Sequence, residues 1–346
     1  MMKILLLSPK QGEIVSLLPR GHQVMLSGGI SIQADNELDW ENLKRKGTEN
    51  SFPLPVRFAW HSEGDGTEEK AWKLLLSTRS DFSAPRVIDC PAGSREADIY
   101  NLRSAQQYFW KIQVIGSEGI EESPVGSFCT LDETPTLYRV EGLTNIRDIG
   151  GWHTADGRRV RRDMIFRGSE MDTHHQLTED GRQSLRADLG IRTDLDLRGE
   201  AVGKVSQSPI GEDIRFELLP VKAYAEFMAE EQADACRAVF SLFADETAYP
   251  IYLHCWGGAD RAGTVVLLLN ALLGVENEPL LLDYEMTMFS VWGERSRNSE
   301  LFQGLMAALD QYGSPEEPIR TKAEKYLRTI GVTDAQIASI RRLLLV

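Results

Sequence analysis

The feature that most constrains this chain is a change of hydrophobic rhythm near its middle. Up to about residue 135, apolar and polar residues alternate in short runs. Examples are Val56-Arg57-Phe58-Ala59-Trp60, the looser Ala71–Leu76, and Tyr108-Phe109-Trp110-Lys111-Ile112-Gln113-Val114. Gly64-Asp65-Gly66 and Gly116-Ser117 punctuate the runs, so this half reads as strands forming a sandwich. The polar stretch Gly21–Asn50 fits that rhythm poorly and reads as an insertion, helical around Leu38–Leu43. Asp132-Glu133-Thr134-Pro135 reads as a linker. Beyond it, strand candidates Ile191–Leu197 and Ile251–His254 alternate with helical patterns at Ala233–Phe243, Val265–Leu273, Leu301–Leu309 and Ala335–Leu345. That order predicts an α/β domain whose mostly parallel sheet is flanked by helices. The expected domains are therefore 1–132 and 136–346, and 346 residues with 42% hydrophobic content can fill both cores.

The net charge of −14 is spread over both halves. It argues against nucleic acid and against anionic lipid as partners, and an anionic substrate would need a local positive site. Cys90, Cys129, Cys236 and Cys255 form no CxxC pair, and His174-His175 are adjacent rather than at ligand spacing, so neither a metal nor another cofactor is expected. The apolar start Ile4–Leu7 is too short for a signal-peptide core or a membrane span. A cytoplasmic protein is the expectation, with export of a longer precursor left open.

One stretch carries chemistry: His254-Cys255-Trp256-Gly257-Gly258-Ala259-Asp260-Arg261, between the buried run Ile251–His254 and the helical run Val265–Leu273. A tight strand-to-helix loop aims its backbone N–H groups inward at a helix N-terminus, which is an anion nest. Gly257 and Gly258 permit the turn. Arg261 can bridge two phosphate oxygens, and the same donors favour a charged nucleophile at Cys255. Trp256, Gly257, Gly258, Ala259 and Arg261 are thus candidate substrate-binding residues, and Cys255 and Arg261 candidate catalytic ones. His254 is expected either to order the loop or to pack in the core. A lone cysteine ending a strand would be structural; the combined pattern points to phosphoryl transfer through a cysteinyl-phosphate without a metal.

These residues resemble the protein tyrosine phosphatase superfamily, in particular its bacterial branch of atypical tyrosine or dual-specificity phosphatases, whose loop reads His-Cys-x-x-Gly-x-Asp-Arg. Asn145-Ile146-Arg147-Asp148-Ile149-Gly150-Gly151, Phe166-Arg167-Gly168-Ser169, Asp196-Leu197-Arg198, Leu272–Val275 and Asp283-Tyr284-Glu285 match further motifs in order. The resemblance spans about residues 138–290 and implies a cysteine-dependent α/β phosphatase domain. It implies Asp260 as general acid, with Asp196 as the competitor, which could instead orient Arg198 or Arg261. Asn145, Arg147 and Asp148 are expected to pin a loop near Gly150-Gly151. The first half, with Trp60, Leu102, Tyr108 and Trp110, resembles a fibronectin type III module, which implies a spacer or a protein-binding surface.

Two residues depart from the family pattern. Ala259 stands where lysine is common, which favours monophosphorylated substrates. Ala262 stands where a hydroxyl residue usually helps the thiol leave. Tyr284–Arg297, with Met286, Met288, Phe289 and Trp292, reads either as a helical lid or as an ordinary core helix. A catalytically weak domain that binds phosphorylated ligands is the alternative function. An arsenate reductase or sulfur transferase is a third reading, weakened because Cys236 is the only other cysteine in this half.

Overall fold

The computed structural model describes residues 3–28, 38–63, 71–116, 119–201 and 203–346. The turn at Gly64-Asp65-Gly66 and Ser117 lie outside these residues. The chain divides into two compact units: residues 1–18 with 53–133, and residues 19–52 with 134–346.

The first unit holds two sheets. One has the order β1 (Lys3–Ser8), β3 (Val56–Glu63), β6 (Glu96–Ile99), paired antiparallel. The other runs β2 (Glu13–Val15), β9 (Gly126–Thr130), β7 (Gln107–Gly116), β4 (Trp72–Ser77), β5 (Arg86–Cys90), with β8 (Gly119–Glu122) on β7. Alternate residues of β3 are buried, as the period of two requires. Phe58 and Trp60 from one sheet meet Trp72, Trp110 and Phe128 from the other, with Phe58 and Trp110 edge to face at 5.0 Å.

In the second unit the sheet order is β10 (Arg147–Asp148), β11 (Ile165–Gly168), β14 (Ile251–His254), β12 (Thr193–Asp196), β13 (Arg215–Leu218). Only β10 is antiparallel. The helices are α1 (Arg20–Gly28), α2 (Trp40–Leu43), α3 (Glu179–Gln183), α4 (Ala233–Phe243), α5 (Asp260–Leu272), α6 (Asn277–Glu285), α7 (Glu300–Leu309), α8 (Ile319–Thr329) and α9 (Asp334–Leu344). Along β14, Ile251 and Leu253 join one apolar cluster with α4, α5, α8 and α9. Tyr252 joins another with Ile146, Phe166 and Leu185 on the opposite face. Both faces are covered, which is why β14 lacks polar alternation. Almost every residue of α5 is buried, matching a sequence apolar all round.

Two expectations need correction. The stretch Gly21–Asn50 reads as an insertion of the strand-rich half, yet its described residues belong to the second unit, which holds 19–52 with 134–346. No continuous helix spans Tyr284–Arg297: α6 ends at Glu285, and a single 3-10 turn covers Met286–Phe289. Met286, Met288 and Phe289 are core residues and lie outside the cavity lining described below.

Candidate active site

Register brings the carboxyl ends of β11, β14 and β12 level, with His254 opposite both Gly168 and Asp196. Ligands of open α/β sheets bind at this edge. Here the chain turns through Cys255–Ala259 into α5. The loop carbonyls are held from outside by different donors. Glu170 N donates to Trp256 O at 3.0 Å. Asn145 Nδ2 donates to Gly257 O at 2.9 Å, and Arg167 to Gly258 O at 2.6 and 3.1 Å and to Ala259 O at 3.2 Å. A planar peptide with its carbonyl drawn outward turns its N–H the other way. Gly258 sits at φ +63°, and a Cβ there would lie 2.3 Å from Gly168 O. At Gly257 a Cβ would strike the Trp292 ring at 2.7 Å.

A cavity of about 590 Å³ opens over this loop, lined by Cys255, Trp256, Gly257, Ala259, Asp260 and Arg261 together with Tyr224, Tyr284, Trp292, Glu294 and Arg295. Six of the predicted loop residues thus share one space; Gly258 shapes the turn without facing it. Arg261 makes a bidentate pair with Glu200 at 2.8 Å twice. That contact holds the Glu200 carboxyl down to about 2. Asp260 accepts from Arg295 at 2.9 and 3.2 Å and from the Tyr224 hydroxyl. Burial alone would raise the Asp260 carboxyl, but Arg295 and Tyr224 outweigh it and hold it below the ordinary range. Tyr224, at φ +56°, also bonds Tyr284 at 2.9 Å between hydroxyls. Thr264 Oγ1 is committed to Asp260 O and Tyr224 N. Ala262 is fully buried in the first turn of α5.

Behind the loop lies a buried polar network. Arg147 and Arg167, 2% and 0% exposed, share Asp283 at 2.9 and 2.7 Å. Arg147 also donates to Asn145 Oδ1 at 2.6 Å, which fixes the carboxamide that grips Gly257. Asp148 stands apart from this chain of contacts. It accepts from Gly150 N at 2.8 Å and Asp163 N at 2.6 Å, and burial pushes its pKa up to about 7. Asp196 is bound by Arg198 through three hydrogen bonds from the guanidinium and one from the amide. Arg198 reaches on to Asp172 and Glu170. Burial works against charge on His254, but Asp194, 2.9 Å from Nε2, holds its pKa above the usual value.

The candidate list from sequence lacked Glu200, Tyr224, Arg295, Arg167, Asp283, Asp194 and Glu170. Arg167 and Asp283 stood within quoted motifs, and an opposite charge closing each of two apolar runs, Met164–Phe166 and Leu280–Leu282, was the signal. Glu200 follows Arg198 by two residues. Tyr224 opens a short 3-10 helix and Arg295 lies in irregular backbone, neither with a sequence pattern to announce it.

Three curated relatives align with the chain. The triple specificity protein phosphatase PtpB of Mycobacterium tuberculosis is 26% identical over 253 residues, covering 60% of this chain and 88% of the relative. A putative tyrosine-protein phosphatase of Cupriavidus necator is 28% identical over 190 residues, 46% of this chain and 69% of the relative. A tyrosine-protein phosphatase of Nostoc commune is 24% identical over 217 residues, 48% and 70% respectively. Residues 138–346, more than half of the chain, match the model of the tyrosine phosphatase family, and the chain is therefore a phosphatase that belongs to that family.

Proposed function

We propose that this chain hydrolyses phosphate monoesters, phosphotyrosine first and phosphoserine or phosphothreonine as well, through a cysteinyl-phosphate at Cys255. The observation that carries the reading is the loop whose carbonyls, from Trp256 to Ala259, are all drawn outward around Cys255. Its N–H groups and Arg261 then stabilise charge on the transferring oxygens. Cys255 sulfur forms a bond to phosphorus as the ester oxygen leaves with a proton from the general acid. Water then attacks phosphorus, gives a proton back to that group, and releases Cys255 and phosphate. No step calls for a metal.

Asp260 lines the cavity, whereas Asp196 is committed to Arg198 and does not, so Asp260 is the better general acid. Its pairing with Arg295 keeps it ionised in this conformation; donating a proton requires Arg295 to move away. Arg261 likewise must exchange Glu200 for phosphate.

The first unit is read as a fibronectin type III-like module that binds a protein partner. Tyr108 Oη accepts from Arg103 N at 2.9 Å, as a tyrosine corner does, and Trp60 is buried between the sheets. Among the described residues no helix is long and apolar enough to cross a membrane.

The test is hydrolysis of p-nitrophenyl phosphate in EDTA and reductant by wild type and Cys255→Ser. Turnover in wild type that vanishes in the variant supports the mechanism. A folded wild type that binds vanadate without turnover favours the ligand-binding reading, which Ala262 and the two occupied arginines already support in part.

A further inference from the structure

Residues 38–52 lie far ahead of the catalytic loop in sequence and interrupt the strands of the first unit, yet they are bonded into the second unit at two places, one on a residue that grips the loop and one beside a residue that abuts it. At the first place, Ser51 Oγ accepts the Asn145 amide at 3.0 Å. The hydroxyl is oriented by Glu49, whose Oε1 accepts Ser51 Oγ at 2.6 Å and Ser51 N at 2.8 Å. The other Glu49 oxygen accepts the Thr144 hydroxyl. Asn145 needs such fastening. It is almost fully buried at φ +61°, a conformation that costs an L-residue energy, and its side chain holds Gly257 O at 2.9 Å. At the second place, Gly47 N donates to Val291 O at 2.8 Å and Asn50 N to Phe289 O at 2.7 Å. These bonds bracket the segment whose next residue, Trp292, abuts Gly257 and lines the cavity. Gly293, at φ +71°, leaves room for the backbone of Lys46, which a Cβ would approach to 3.1 Å.

We infer that residues 38–52 form a strap that positions the phosphate-binding loop, and that Ser51 is the positioning residue through which the strap sets the Gly257 carbonyl. The strap touches no substrate. It acts through Asn145 on one side of Gly257 and through the 289–292 segment on the other. A surface clasp that merely stabilised the fold would have no reason to end on Asn145, which grips Gly257, and on the residues flanking Trp292, which abuts it. The inference rests on the reading of the Cys255 loop as a phosphate site.

The experiment uses the full chain with Ser51→Ala, Ser51→Thr, Glu49→Gln and the remote control Ser339→Ala, whose hydroxyl donates to Ala244 O at 2.8 Å. Vanadate affinity is measured by calorimetry, and kcat and KM with p-nitrophenyl phosphate. Folding is read from protection of Cys236, buried in α4, against thiol labelling. Ser51→Ala should weaken vanadate binding and lower kcat by about tenfold each, the scale of one buried amide losing its partner, while Cys236 stays protected. Ser51→Thr should restore most of the loss, Glu49→Gln should lose several-fold, and Ser339→Ala should bind vanadate as wild type does. Wild-type affinity and kcat in Ser51→Ala would overturn the proposal. If Ser51→Ala does not fold, wild-type affinity and kcat in Glu49→Gln would overturn it. A wild type that binds vanadate without turnover would instead sink the catalytic reading, leaving the affinity comparison to decide the strap.

Discussion

Replacing Asp283 by asparagine tests the support of the loop most sharply. Asp283 is buried and its two oxygens each hold a different buried guanidinium. Burial pushes its carboxyl up, yet Arg147 and Arg167 win and keep it ionised below the usual range. The same burial, with the neighbouring charge of Arg147, depresses Arg167 to about 10. The intact cluster adds little net stability, because its Coulombic gain is set against desolvation. Removing one partner differs: two guanidiniums stay buried while the asparagine offers a single acceptor. Breaking a buried pair costs about 3–5 kcal/mol. The contacts that survive, Arg147 to Asn145 and Arg167 to Gly258, keep the expected cost inside that range. At a urea m-value of about 2–3 kcal/mol/M this lowers the midpoint by about 1–2.5 M. Labelling of Cys236 as a function of urea reports opening of the second unit alone, and kcat should fall at least tenfold because Arg167 then grips the loop less firmly. A midpoint change of less than about 0.3 M would refute the claim that Asp283 anchors the site.

Glu200→Gln removes the carboxylate that competes for Arg261. The pair is partly exposed, so vanadate should bind about two- to fivefold tighter, and unchanged or weaker binding would count against the competition. Asp260→Asn should depress hydrolysis of phenyl phosphate far more than that of p-nitrophenyl phosphate, whose leaving group needs little protonation; equal losses would argue against Asp260 as the acid. Gly258→Ala should abolish vanadate binding, because both its φ of +63° and the 2.3 Å approach to Gly168 O forbid a Cβ; calorimetry that finds binding intact would contradict the loop geometry. Asp148 has a folded pKa raised to about 7 from an unfolded value near 3.9, so the folded state binds the extra proton. Its contribution is complete below the unfolded pKa and is lost as pH rises to about 7, a few kcal/mol in all. The Tm of wild type relative to Asp148→Asn should therefore fall between about pH 4 and 7 and level off above, and a flat difference across that window would remove the effect.

The loop, its strand and its helix were legible in the sequence because each is locally encoded. Ile251–His254 is a short apolar run, Gly257-Gly258 is the only paired glycine nearby, and the α5 residues after Arg261 are apolar all round. The Asn145–Asp148 motif was legible, with Asp148 accepting from Gly150 N in the loop where all three were expected, but Asn145 and Arg147 reach Gly257 and Asp283 instead, contacts the motif did not announce. What the sequence concealed comes from long-range encounters. The partners of Arg261 and Asp260 are Glu200, in a single 3-10 turn, and Arg295, in irregular backbone, with no periodicity to announce either. Residues 38–52 escaped for the same reason: polar and aperiodic, they look like an insertion until Ser51 meets Asn145 ninety-four residues later.

The most direct measurement is rapid-quench trapping during turnover of a phosphomonoester, with the phosphorylated peptide located by mass spectrometry. A phosphoryl group on Cys255 in wild type, accumulating because Ala262 supplies no hydroxyl to speed its loss and absent in Cys255→Ser, is the predicted result. Sustained hydrolysis with no phosphoryl group on Cys255, or with one on another residue, would contradict the account.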